Sequence, residues 1–359
     1  MKQIIELVKK YWVFVLLAAL VATLLVFWLI KKGQPEIPSG PAPSPTAGIL
    51  PQPQSQYSQS LGEGLYYTIF LSETDFNQLP SSLPVYQIKP LTQKEILSRY
   101  DKLIKQLGFT VNPQEQERQD GRYLIWQEEE NYLQTNLNSG QLLFTGKVSL
   151  SPPDKTLNPL QIQDLVKQKL SAWQLTTEEA EIKNIEGFGV AGLELIPVEN
   201  LNQAVVFQIT YTASFEGYPL VGLGPAKNLI EAKINNQGVL SSLIFNLPQV
   251  ENEPMDYYPL KNYEETSKEI KEGKGQIIEI LTPQGEERSF PSLKEIQEVR
   301  ITSISLVYYV TTEHQEYYQP VFLFKGKMIL KEEESLSISL ILPAIVSDYL
   351  QPDQEHFLP

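Results

Sequence analysis

Two histidines, His314 and His356, are the only imidazoles in 359 residues, and there is no cysteine. The missing thiol excludes thiol catalysis, disulfides, thiolate zinc sites, iron–sulfur clusters and lipoprotein acylation. His314 sits in Thr311-Thr-Glu-His-Gln-Glu316, between two strand-like runs. Acid–base or metal chemistry there needs a second ligand or an orienting partner, and helical or strand spacing supplies neither, so the segment reads as a solvated hairpin tip. His356 lies at the C-terminal end, where chains fray.

The acidic triplets Glu128-Glu129-Glu130 and Glu332-Glu333-Glu334 each interrupt two strand-like runs. Calcium would need alternating oxygen ligands around a glycine-assisted turn, so both read as charged turns that keep sheet edges soluble. A glycosidase needs only two carboxylates, and nothing singles out a pair among the 43 acidic residues. Gly187-Phe-Gly-Val-Ala-Gly192 has the spacing of a dinucleotide loop, but strand-like residues follow where a helix is required. It reads as a glycine-rich connection, and Gly222-Leu-Gly-Pro225 as a turn. The expectation is a chain with no catalytic, cofactor-binding or metal-ligating residues, and not an enzyme.

The elements around these residues begin with a twenty-residue uncharged run, Tyr11 to Ile30, between Lys9-Lys10 and Lys31-Lys32. At about 1.5 Å per residue it matches a bilayer core of about 30 Å, with Tyr11, Trp12 and Trp28 at the two ends. Residues 1–32 are therefore expected to be a cytoplasmic stub and transmembrane signal anchor. The flanking lysines put the N-terminus inside and the rest outside, a single-pass protein of the cell membrane with an extracytoplasmic domain. Residues 33–60, with seven prolines, read as a disordered tether. The first forty residues carry five lysines and two glutamates, and residues 41–60 carry no charge. With −14 overall, the remainder from Leu61 carries −17, which argues against nucleic acid as a partner.

From Leu61 a helix-then-strands pattern recurs three times. Thr92 with Glu95, Asn158 with Gln161, and Asn262 with Glu265 are spaced as capping boxes, each followed by a helical apolar stripe and then by alternating strand-like runs. Asn138-Ser-Gly140 and Asn235-Asn-Gln-Gly238 supply hairpin turns. The expected fold class is α+β: the transmembrane helix, then two or three helix-plus-antiparallel-sheet modules over residues 61–152, 153–250 and 251–359.

Tyr258-Pro-Leu-Lys-Asn-Tyr-Glu-Glu265, Ile301 to Tyr309 and Tyr317 to Gly326 together resemble the extracytoplasmic domains of the YycH/YycI regulatory proteins, and more loosely PepSY-like modules. Val205 to Tyr211, Gly217-Tyr-Pro-Leu220 and the hairpin at Gly238 extend the likeness, which is clearest from about residue 200 to 330. It implies a non-enzymatic regulator of a membrane partner, a sensor histidine kinase in that family, contacted partly through the membrane helix. Ala18, Ala19, Ala22 and Thr23 fall near one helix face, where small side chains allow a second helix to approach. Behind this regulator stand two other readings: a cell-surface structural or wall-polymer-binding module, and a hydrolase with a carboxylate pair.

Overall fold

The computed structural model describes residues 48–53, 59–60, 64–118, 121–147, 157–175, 180–192, 194–312, 315–331 and 335–352. All of them fall within one compact unit, Gly40–Pro359. Runs that alternate apolar and polar residues between turn residues give twenty strands there. The first ten are β1 (Gln59–Ser60), β2 (Tyr67–Ile69), β3 (Ser82–Gln87), β4 (Gln114–Arg118), β5 (Gly121–Glu128), β6 (Asn131–Asn136), β7 (Leu142–Thr145), β8 (Glu181–Ala191), β9 (Glu194–Val198) and β10 (Val206–Thr212). There follow β11 (Ser214–Phe215), β12 (Tyr218–Gly222), β13 (Ile230–Asn235), β14 (Leu240–Phe245), β15 (Asp256–Pro259), β16 (Gln276–Leu281), β17 (Ile296–Val310), β18 (Tyr317–Tyr318), β19 (Pro320–Leu330) and β20 (Ser335–Pro343).

Among the described residues four α-helices accompany them: Glu73–Phe76, Gln93–Gln106, Pro159–Ala172 and Tyr263–Lys271. The last three start where their capping boxes place them. The Asn158 side chain accepts from Gln161 N at 2.9 Å while Gln161 Oε1 accepts from Asn158 N at 3.0 Å. Thr92 with Glu95 and Asn262 with Glu265 are reciprocal in the same way.

Nine strands form one antiparallel sheet in the order β4-β5-β6-β7-β14-β13-β10-β8-β9. The helices Gln93–Gln106 and Pro159–Ala172 bury Ile96, Tyr100 and Leu103, and Ile162, Val166 and Leu170, in one core with Trp126, Phe207 and Leu243 of that sheet. The two helices are joined where Trp173 Nε1 donates to Gln106 Oε1 at 2.5 Å. An eight-stranded sheet runs β1-β16-β20-β19-β17-β12-β11, with β2 also paired to β17, and β15-β3-β18 makes a third, small sheet. Ile270 of the Tyr263–Lys271 helix packs in a second core with Val299, Phe324 and Leu340.

Strand β17 ties these cores together. Val299 and Ile301 point into the second core, then Thr302 is skipped in the pairing with β19, and inward residues become Ile304, Leu306, Tyr308 and Val310. A bulge shifts the side-chain alternation by one residue, and beyond it Ile304 and Leu306 still pack in the second core while Tyr308 and Val310 reach the first. Val307 and Tyr309 face the opposite side of the sheet.

This architecture corrects the expected fold class. Among the described residues the protein is mostly β, and they do not form a string of helix-plus-sheet modules. Strand β7 pairs with β14, joining the expected first and second modules into one sheet. Strand β12 leaves the second and pairs in parallel with β17 of the third, Leu220 opposite Tyr308. Both pairings join strands distant in sequence, which local periodicity does not specify.

The membrane expectation is corrected as well. Among the described residues no helix is long and apolar enough to cross a membrane, and the longest helices have 14 residues. The span Tyr11–Ile30, with Ala18, Ala19, Ala22 and Thr23, lies outside the described residues. Single-pass localisation with an extracytoplasmic domain therefore has no structural support. Part of the expected tether is also built into the fold. Leu50 is 1% exposed, its N donates to Tyr349 O at 2.8 Å, and its O accepts from Gln351 N at 2.8 Å.

Candidate functional site: a cleft between the two large sheets

Two irregular strands shape the site. Strand β8 pairs regularly with β10 from Val206–Phe188 to Thr210–Asn184, then resumes at Tyr211–Ile182, leaving Lys183 as the extra residue. On the other sheet β16 pairs with β20 at Ile277–Leu340 and Glu279–Ser339, leaving Ile278 out. A bulged residue is turned away from its regular direction, and Lys183 and Ile278 both line one cleft of about 340 Å³.

The chain crosses between the sheets beside this cleft. β12, which ends at Gly222, belongs to the eight-stranded sheet and β13, which starts at Ile230, to the nine-stranded one, and the connection opens with Leu223-Gly-Pro-Ala-Lys227. Gly222 is required by packing, because a Cβ there would collide with the Ala226 carbonyl oxygen. The tight crossing brings Lys227 to the cleft, where its Nζ lies 3.3 Å from Glu279 Oε1 and also pairs with Glu287. Ser339 Oγ donates to Glu279 Oε2 at 3.4 Å.

A third amine comes from β19. Ser303, Lys325, Ser339 and Glu279 are cross-strand neighbours in one row over β17, β19, β20 and β16. Beside that row lie the apolar Val221, Val307, Leu323 and Ile278, part of a separate cluster with the buried Leu223, Tyr309, Val321 and Ile341. Thr210, Tyr211 and Thr212 of β10 contribute to the wall, with the Thr212 hydroxyl held on Glu181 O at 3.3 Å. The Tyr211 hydroxyl is buried without a hydrogen-bond partner among the described residues, and burial pushes its pKa up to about 12. Lys183 and Lys325 are exposed and make no ion pair among the described residues.

Chemically, the cleft offers three ammonium groups, which only donate, and hydroxyls that donate or accept, beside an apolar patch. One ammonium is already balanced by two carboxylates. The other two are available to an anion.

Of the residues weighed from the sequence for chemistry, Gly222 alone among the described residues lines this cleft, and it does so as part of the crossing. Glu313, His314, Glu332 to Glu334 and His356 lie outside the described residues. Glu128 to Glu130 form the β5–β6 turn as read: Glu129 has a left-handed φ of 52° and Glu130 pairs with Lys147 at 3.0 Å. The Thr110 hydroxyl and amide hold Glu128 below the usual carboxylate range. The Gly187–Gly192 segment is not a connection, because Gly187 and Gly189 lie within β8. A Cβ on Gly187 would come within 2.8–2.9 Å of the Ala204 and Leu201 side chains, and one on Gly189 would come within 3.0 Å of Val198. What sequence reading missed is the trio Lys183, Lys227 and Lys325, each of which looks like an ordinary solvated lysine until the sheets are assembled.

No family model matches the chain, and no curated protein is similar to it in sequence. A solved structure of an uncharacterized protein from Eubacterium rectale ATCC 33656 is similar over 75% of this chain and 86% of that one, with 13% identity and a TM-score of 0.43.

Proposed function

We propose that this chain is a non-catalytic binding protein that holds an anionic ligand in the cleft between its two large sheets. One observation carries the reading: the bulge in β8 commits Lys183 to the same cleft that Lys325 enters from the opposite sheet, and neither amine has a carboxylate partner among the described residues. Binding sites set on strands are held more rigidly than sites on loops. A regulatory role, as the likeness to YycH/YycI proteins implies, fits a body whose cleft occupancy is communicated to a protein partner such as a sensor kinase.

The test is a thermal-shift screen of the full chain against matched anionic and neutral compounds, repeated with Lys183→Gln/Lys325→Gln. Anionic hits that vanish in the double variant support the reading. Hits retained by the double variant place binding elsewhere, and turnover of a hit that is lost on neutralising one carboxylate makes the protein an enzyme.

A further inference from the structure

We infer that the cleft takes a small amphiphilic anion, a carboxylate or phosphate headgroup on a short hydrocarbon chain. The inference rests on the proposed binding function and adds the ligand class. Its ground is the way the cleft divides. Lys183 and Lys325 supply positive charge, whereas Val221, Val307, Leu323 and Ile278 supply an apolar patch within the same 340 Å³. That volume is at the small end for ligand sites, which suits a short molecule over a polymer.

The charge pattern sets the headgroup. Lys227 is occupied by Glu279 and Glu287, so two amines remain for an incoming anion. The chain from residue 61 onward carries −17, which opposes anions at long range. Attraction must then come from contacts made inside the cleft, and hydrocarbon burial adds to it without regard to charge.

The experiment is calorimetric titration of the full chain with octanoate, octyl phosphate, octanol, acetate and inorganic phosphate, each below its aggregation concentration. Octanoate or octyl phosphate should bind at least about tenfold more tightly than octanol, acetate or inorganic phosphate, a margin of roughly one good contact. The stronger of the two octyl anions identifies the headgroup. Lys183→Gln/Lys325→Gln should weaken that anion about tenfold or more, with unchanged circular dichroism. Leu323→Asn should weaken the octyl anion and leave acetate and inorganic phosphate as they were.

Octanol binding as tightly as the octyl anions would overturn the headgroup assignment. Acetate or inorganic phosphate binding as tightly would overturn the hydrocarbon assignment. In both cases, sensitivity to the lysine pair would leave the binding function standing. No binding of either octyl anion to the folded chain would overturn the ligand class, while the wider screen still tests the function. Octyl anions that bind the lysine double variant undiminished would overturn both.

Discussion

Lys261 Nζ lies 2.6 Å from Glu269 Oε2, with side chains only 3% and 13% exposed. The pair ties the start of the Tyr263–Lys271 helix to the C-terminal segment: Ser347 Oγ donates to the other Glu269 oxygen at 3.1 Å, and Lys261 N donates to Ala344 O at 2.8 Å. Burial pulls the Lys261 amine below its ordinary pKa, outweighing the attraction of the carboxylate.

Removing one partner of such a pair strands a buried charge, which costs more than the pair itself contributes. Glu269→Ala is expected to destabilise the protein by about 3–5 kcal/mol. Lys261→Met/Glu269→Leu is expected to be markedly more stable than Glu269→Ala. Urea denaturation of the three proteins measures this, and a double variant no better than the single one contradicts it.

A second prediction concerns alkaline pH. Burial pushes Tyr67, Tyr86, Tyr100, Tyr211 and Tyr258 up to about 12, and it raises Tyr308 and Tyr318 as well. A raised folded-state pKa contributes stability that is fully present below the unfolded value of 10.0 and is lost as pH rises through the folded value. Stability should hold up to about pH 10 and decline from there to pH 12. Absorbance at 295 nm should show a fraction of the 18 tyrosines ionising only as the fold is lost. All of them titrating near pH 10 in a folded protein would refute this.

Leu50 gives a third. It packs with Val85, Tyr258, Ile345 and Leu350, and Tyr258 Oη donates to Gly48 O at 3.2 Å. Leu50→Ala should cost about 2–5 kcal/mol, the usual range for a leucine truncated in a core. A fragment of residues 48–359 should accordingly melt higher than one of residues 61–359, and equal melting temperatures would count against this packing.

The fourth is steric. Gly326 lies opposite Ile301 beside the Thr302 bulge, where the Thr302 hydroxyl donates to Lys325 O at 3.2 Å. A Cβ on Gly326 would collide with the Arg300 carbonyl. On Gly275 it would meet only the tip of the Leu340 side chain, at 2.8 Å. Gly326→Ala should therefore lose about 1–3 kcal/mol, and more than Gly275→Ala. Equal losses in chemical denaturation would mean that the β17–β19 bulge yields to the added methyl.

What the sequence by itself determined is local. Thr92 with Glu95, Asn158 with Gln161 and Asn262 with Glu265 mark helix starts, because both halves of each hydrogen-bonded cap lie within four residues. The turns at Gly140 and Gly238 are equally legible, with φ of 75° and 85° and with Asn136 and Asn235 side chains accepting from nearby amides. Tertiary structure decided which strands meet. Alternating apolar runs are interchangeable as sheet partners at the level of pattern, so nothing within β12 announces its parallel pairing with β17, 88 residues on. The bulges at Lys183, Ile278 and Thr302 exist only relative to a partner strand, since an extra residue is defined by the register it breaks. For the same reason the cleft was invisible: its amines at 183, 227 and 325 become neighbours only once two sheets have closed over a shared set of buried side chains.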